Sequence, residues 1–130
     1  MKILIADDSV LILERLQQML TGIDRVEVVA SLNNGIDALN GLRTLSPDLA
    51  ILDFQMPGLS GLEVLNAFKK ENTSVKFILL TLQSQGYFRN LAIQAGSNYF
   101  FNKADDFETI GHIVTELCEQ QDEKLYIHKY

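Results

Sequence analysis

Three aspartates stand at the ends of short apolar runs that read as buried strands: Asp7 and Asp8 in MKILIADDS, and Asp53 in DLAILDFQMPG. If those two strands lie side by side and parallel, all three carboxylates emerge together at the C-terminal ends. Two unit charges about 4 Å apart repel by roughly 4 kcal/mol at an effective dielectric near 20, so the cluster requires a cation or a shifted proton. Oxygen-only ligands at a strand edge suit Mg²⁺.

Other reactive groups fall at equivalent places. The fourth apolar run ends at Thr81, and Lys103 follows the fifth. Singly, an Asp can cap a helix, a Thr can end a strand and a Lys can be solvated. Jointly they can do chemistry. An ionised Asp53 can attack a phosphoryl group, Mg²⁺ held by Asp8, Asp53 and a backbone carbonyl can neutralise its oxygens, and Thr81 and Lys103 can donate to the remainder. Such catalysis is positioning and charge neutralisation, so no His or Cys general base is needed. His112 and His128 fall in the last helix and the tail, where solvated positions are expected.

The elements that must position these groups are legible. Strand-length apolar runs occur at Ile3–Ala6, Val26–Ala30, Leu49–Leu52, Phe77–Leu80 and Tyr99–Phe101, mostly continuous, as expected for strands covered on both faces. Between them a helical beat passes through Val10, Leu13, Leu16, Gln17 and Leu20, then Ile36, Leu39 and Leu42 to Leu45. It continues through Leu62, Leu65 and Phe68, through Phe88, Leu91, Ala92 and Ala95, and finally through Phe107, Ile110, Ile113, Val114 and Leu117. Ser9, Ser60 and Asp105 stand where N-caps are wanted, Gly22 and Gly96 where helices should end, and Pro47 stops the second helix. Five strand–helix units imply an α/β fold with a parallel sheet, right-handed crossovers and ligands at the strands' carboxyl ends.

Composition narrows the function classes. A chain of 130 residues with 47% hydrophobic content and two prolines suits one globular domain. A net charge of −6 without a Lys/Arg-rich stripe disfavours direct nucleic-acid binding. No apolar stretch reads as a membrane span or signal peptide, so a cytoplasmic protein is expected. The one cysteine, Cys118, is expected to be a packed thiol rather than a redox centre.

The ordered set resembles the response-regulator receiver domain, the family of the bacterial chemotaxis regulator. It comprises the pair Asp7-Asp8, the run Asp53, Met56, Pro57 and Gly61, then Thr81 in ILLT, and Lys103 after Ala95-Gly96. The resemblance covers residues 1–121, with 122–130 a tail that extends the last helix or is disordered. It implies a flavodoxin-like (βα)5 sandwich with strand order 2-1-3-4-5. It makes Asp53 the phosphoacceptor, fed by a sensor histidine kinase or histidine phosphotransfer protein. Asp8 would ligate Mg²⁺ directly, Asp7 through water, and the Gln55 main-chain carbonyl would complete the protein ligands. Thr81 would move toward the phosphoryl group, Lys103 would pair with it, and Phe100 rather than Tyr99 would be the aromatic switch.

A downstream protein would then read the fourth helix, fifth strand and fifth helix, with Tyr87, Leu91 and Gln94 as candidate readers. The domain would not be an enzyme toward other substrates, though it would catalyse its own aspartyl phosphorylation and dephosphorylation. With only about ten residues expected after the last helix, a stand-alone receiver is expected, the alternative being that the tail marks where a longer protein was cut, and a homodimer is left open, with Tyr126 and Tyr130 as contacts.

Three positions depart from the family pattern. Ala104 replaces the proline that usually follows the lysine in a cis peptide. A non-proline cis bond costs roughly 2.5 to 4 kcal/mol, so a trans peptide is expected. Leu82 replaces a small residue after Thr81 and could narrow access to Asp53. Phe100 lacks the phenolic hydroxyl of the commoner tyrosine. Gln55 and Gln83 occupy variable positions at which the family tunes dephosphorylation.

Rival readings fare worse. A flavodoxin-type cofactor binder would want a Ser/Thr/Gly-rich phosphate loop where this chain has two acids. An aspartate-based phosphatase would need an acid/base two residues beyond its nucleophile, where Gln55 cannot titrate. A degenerate receiver acting unphosphorylated is disfavoured by the intact acidic pair.

Overall fold

The computed structural model describes residues 1–71, 74–82 and 86–129, with side chains through residue 123. Five strands alternate with five helices: β1 (Lys2–Ala6), α1 (Val10–Thr21), β2 (Glu27–Leu32), α2 (Gly35–Leu45), β3 (Leu49–Asp53), α3 (Gly61–Lys69), β4 (Lys76–Thr81), α4 (Gly86–Gln94), β5 (Tyr99–Asn102) and α5 (Phe107–Lys129). All strand pairs are parallel and the order is β2-β1-β3-β4-β5, the flavodoxin-like arrangement.

The period-two pleat divides each central strand between two cores. Ile3, Ile5, Leu49, Ile51, Ile78 and Leu80 meet Leu16 and Leu20 of α1 and Ile110, Val114 and Leu117 of α5. Leu4, Ala6, Ala50, Leu52, Phe77 and Leu79 meet Leu42 of α2, Val64, Leu65 and Phe68 of α3, and Ala92 of α4. Continuous apolar runs are therefore what this sheet needs, since both pleat faces are dry. Cys118 packs into the first of these cores, and burial pushes its thiol up.

Several local expectations are met. Ser9 accepts from Ile12 N, and Ser60 forms a reciprocal capping box with Glu63. Gly96 has φ 98°, a left-handed value suited to glycine. Three are corrected. Val10 and Ile36, included in the apolar beats, are 64% and 53% exposed. Each lies in the first turn of its helix, before the stripe has rotated onto the sheet. The residue immediately before α5 is Asp106 rather than Asp105, and its carboxylate accepts from Asn102 N at 2.8 Å.

Helix α5 runs through Lys129, so residues 122–129 have helical backbone. The side chains of Tyr126 and His128, and the whole of Tyr130 and Gln83, lie outside the described residues. His112 is exposed. No helix among the described residues is long and apolar enough to cross a membrane.

Candidate functional site

Strand register brings the reactive groups together. Ala6 pairs with Leu52, so one further step along β1 and β3 sets Asp7 beside Asp53. Thr81 pairs with Asn102 at the ends of β4 and β5, and Lys103 is the next residue. Asp7, Asp53 and Lys103 hold the same pleat phase as Ile5, Ile51 and Phe101, so their side chains converge on one side of the sheet edge. Asp53 and Thr81 are the last residues of their strands rather than the first loop residues.

The convergence is tight and mostly buried. Asp7, Asp53, Thr81 and Lys103 are 0%, 4%, 6% and 6% exposed, whereas Asp8 is exposed. Lys103 Nζ donates to both Asp7 oxygens, at 3.3 and 3.0 Å, and to Asp53 Oδ2 at 3.1 Å. Asp7 Oδ1 also accepts from Ser9 N at 2.8 Å, and Asp53 Oδ1 from Gln55 N at 3.3 Å. Asp8, Asp53, Gln55, Thr81, Leu82 and Lys103 line an open cleft of about 270 Å³, with Asp7 beneath it.

One ammonium shared by two buried carboxylates leaves a charge imbalance. Burial, followed by repulsion from Asp7, raises Asp53 from 3.8 to about 7 against the opposing pull of Lys103 and the Gln55 amide. Burial pulls the Lys103 ammonium down, but its bonds and attraction to Asp7 and Asp53 outweigh this and hold it above its ordinary 10.5. Carboxylate oxygens of Asp7, Asp8 and Asp53 can be chosen within 4.8 Å of one another. An all-oxygen, electron-rich donor set with one exposed member fits a hard divalent cation such as Mg²⁺.

The loops that hold Asp53 explain the spacing of the Asp53 to Gly61 run. Gly61 N donates to Phe54 O at 3.0 Å, which folds the start of α3 back onto the end of β3. A Cβ on Gly61 would lie 2.2 Å from Asp53 O, so any side chain would push the two apart. Pro57 O accepts from Gly35 N, tying the same loop to α2.

A family model for the response regulator receiver domain matches residues 3–115. The chain belongs to this family. The receiver is 30% identical over 102 residues to the response regulator GacA of Pseudomonas syringae pv. syringae, covering 78% of this chain and 48% of that protein. It is 29% identical over 110 residues to the DNA-binding transcriptional activator EvgA of Escherichia coli K12, covering 85% of this chain and 53% of the relative. The chain thus spans about half the length of these curated relatives. Among solved structures, the signal receiver domain of the response regulator NarL from Mycobacterium tuberculosis matches with a TM-score of 0.84 at 25% identity, over 91% of this chain and 95% of that one.

Of the positions singled out for signalling, Thr81 lines the cleft, whereas Phe100, Tyr87, Leu91 and Gln94 are not part of its lining. Phe100 is 3% exposed, edge-on to Phe54 at 6.3 Å, with the Arg89 guanidinium 5.4 Å from its ring centroid. Tyr99 instead stacks with Phe101 on the α1/α5 side. Tyr87 is 67% exposed, Gln94 is exposed, and Leu91 packs against the core on the α2–α4 side. The Lys103–Ala104 peptide is trans, as the missing proline led one to expect. Leu82 stands 65% exposed at the rim of the cleft.

Two residues escape sequence reasoning. Phe54, directly after Asp53, is edge-on to Phe88 at 5.3 Å as well as to Phe100, yet in the sequence it is one more apolar residue. Asn102 is buried at the end of β5 and bonded into both neighbouring loops. Its only signal is an amide side chain at a strand end, a place where Asn commonly bonds nearby backbone.

Proposed function

We propose that the receiver accepts a phosphoryl group on Asp53 from a phosphohistidine of a sensor kinase or phosphotransfer protein, in a Mg²⁺-dependent reaction in the cytoplasm. An Asp53 carboxylate oxygen attacks phosphorus, the P–N bond breaks, and the donor imidazole leaves with the bonding pair and takes up a proton. The observation that carries this reading is the Asp53 carboxylate at the cleft, held 3.1 Å from Lys103 Nζ with Asp7 and Asp8 alongside. The ion would be held by Asp8, Asp53 and the Gln55 main-chain carbonyl, with Asp7 as outer-sphere support through its bonds to Lys103 and Ser9. When bound it would neutralise charge on the carboxylates and the phosphoryl oxygens.

Lys103 then has a second task. Once an Asp53 oxygen carries the phosphoryl group as an acyl phosphate, the Lys103 ammonium can turn from that oxygen to the phosphoryl group while keeping Asp7, and the Thr81 hydroxyl can donate to another oxygen. The added charge of about −1.5 to −2 must be met by small shifts of the loops after β4 and β5. The edge-on contacts of Phe54 with Phe88 and Phe100 support a route from that end of the sheet to α4. A downstream protein is accordingly assigned to the α4-β5-α5 face, where Tyr87 is exposed. The receiver unit is assigned to residues 1–121, with the following turns an extension of α5.

The test is intact-mass measurement after incubation with acetyl phosphate and Mg²⁺. One phosphoryl group gained by the native chain, absent in Asp53→Asn and absent in EDTA, is the expected result. A folded chain that binds Mg²⁺ but gains no phosphoryl group from any donor would support the degenerate reading instead.

A further inference from the structure

The β5–α5 loop has to aim a buried lysine without the proline that usually shapes it. Its backbone is instead closed around one side chain. Asn102 Oδ1 accepts from Ala104 N at 2.8 Å and from Asp105 N at 3.1 Å. Asn102 N donates to Asp106 Oδ2 at 2.8 Å, and Asn102 O accepts from Asp106 N at 3.0 Å. Lys103 is therefore the residue around which every other amide of the turn is fixed.

The same side chain reaches the neighbouring loop. Asn102 Nδ2 donates to Leu82 O at 3.3 Å, while Lys103 N donates to Thr81 O at 2.9 Å. Consecutive residues of the β4 exit are thus bonded to consecutive residues of the β5 exit. An amide is the one small side chain that can accept two N–H bonds on its oxygen and donate to a carbonyl from its nitrogen at once. Aspartate or serine could keep the acceptor role, but a carboxylate cannot donate, and a hydroxyl cannot reproduce the planar fork.

We propose that Asn102 is the positioning residue of this receiver: it holds Lys103 on Asp7 and Asp53 in place of the missing proline, and makes the Thr81–Leu82 and Lys103–Asp105 segments one unit. The inference rests on the phosphoryl-acceptor reading for its kinetic consequence, though its geometric consequence does not. Asn102 touches neither donor nor acceptor oxygen in this role, and it acts through the lysine. A displacement of order 1 Å in a group that meets the transferring phosphoryl is enough for a large rate loss.

The experiment compares Asn102→Ala and Asn102→Asp with the native chain. Initial rates of phosphoryl uptake are taken against acetyl phosphate concentration in saturating Mg²⁺, and the Lys103 ammonium is observed by ¹⁵N NMR in the metal-free protein. Loss of the amide should lower the limiting rate roughly ten-fold or more, with the half-saturating donor concentration within about two-fold of native. It should also shift or broaden the Lys103 signal. The Asn102→Asp chain keeps the acceptor oxygen, so its rate and its Lys103 signal should lie between the other two. If Asn102→Ala does not fold, Asn102→Val, which also has no side-chain acceptor or donor, takes its place.

A folded alanine or valine variant with the native rate and native Lys103 signal overturns the proposal, as does an aspartate variant no better than the apolar one. Failure of the native chain itself to take up phosphoryl groups refutes the acceptor reading, and the Lys103 signals alone then decide the role of Asn102.

Discussion

Replacing Asp53 by asparagine should stabilise the metal-free receiver above neutral pH. The carboxylate is 4% exposed and shares one ammonium with Asp7, and burial and Asp7 together raise it from 3.8 to about 7. At 1.36 kcal/mol per pH unit, that difference makes its ionisation in the folded state cost roughly 4 kcal/mol more than in the unfolded chain. The folded state holds this proton more tightly than the unfolded state. Native stability from this group is therefore fully present below pH 3.8, declines as pH rises, and reaches its floor above about 7. Asparagine does not titrate, so the variant escapes the decline. Lys103, raised above 10.5, loses its contribution only at higher pH and is constant across this window.

The assay is urea denaturation in EDTA followed by circular dichroism at about pH 4, 6 and 8, with m-values checked for constancy. The advantage of Asp53→Asn should be near zero at the lowest pH and about 2–4 kcal/mol at the highest. Mg²⁺ at a hundred times its Kd should then add about 2.7 kcal/mol to the native chain and narrow the gap. An Asp53→Asn chain no more stable than native at about pH 8, or an advantage that does not change with pH, would refute the reasoning.

Three further outcomes are expected. Gly61→Ala would force a Cβ against Asp53 O and should destabilise the fold by about 1–3 kcal/mol in the same denaturation assay, with slower phosphoryl uptake. Ser60→Ala removes the side-chain acceptor for Glu63 N, while the main-chain N–H of residue 60 can still donate to Glu63 Oε1, and should lower stability by about 1 kcal/mol. Leu82→Ala trims an exposed rim residue, so stability should change by no more than about 0.5 kcal/mol, while uptake from acetyl phosphate should quicken in initial-rate measurements.

The sheet was legible because its requirements are local: a parallel strand covered on both faces needs an unbroken apolar run, and Leu49–Leu52 and Phe77–Leu80 supply one. The place where Asp53, Thr81 and Lys103 emerge was legible for the same reason, since a strand end fixes it. Val10 and Ile36 misled because an apolar residue in a helix's first turn can fit the periodic stripe and still overhang the sheet. Asn34, which accepts from Asp37 N as the cap of α2, was hidden beside Asn33. Asn102 was legible only as an amide at a strand end, because its bond to Leu82, a residue 20 positions earlier, exists only once β4 and β5 are paired. The lysine sharing between Asp7 and Asp53 is equally a product of register: a sequence lists the charges but not which two carboxylates one ammonium will reach.

The most direct test of the central claim locates the phosphoryl group chemically. Borohydride reduces an acyl phosphate but not a free carboxylate, so native protein treated with phosphoramidate and Mg²⁺, reduced and then peptide-mapped should carry the reduced side chain at position 53 and nowhere else. A reduced side chain at Asp7 or Asp8, or a stably phosphorylated chain with no reducible acyl phosphate, would contradict the assignment of Asp53 as the acceptor.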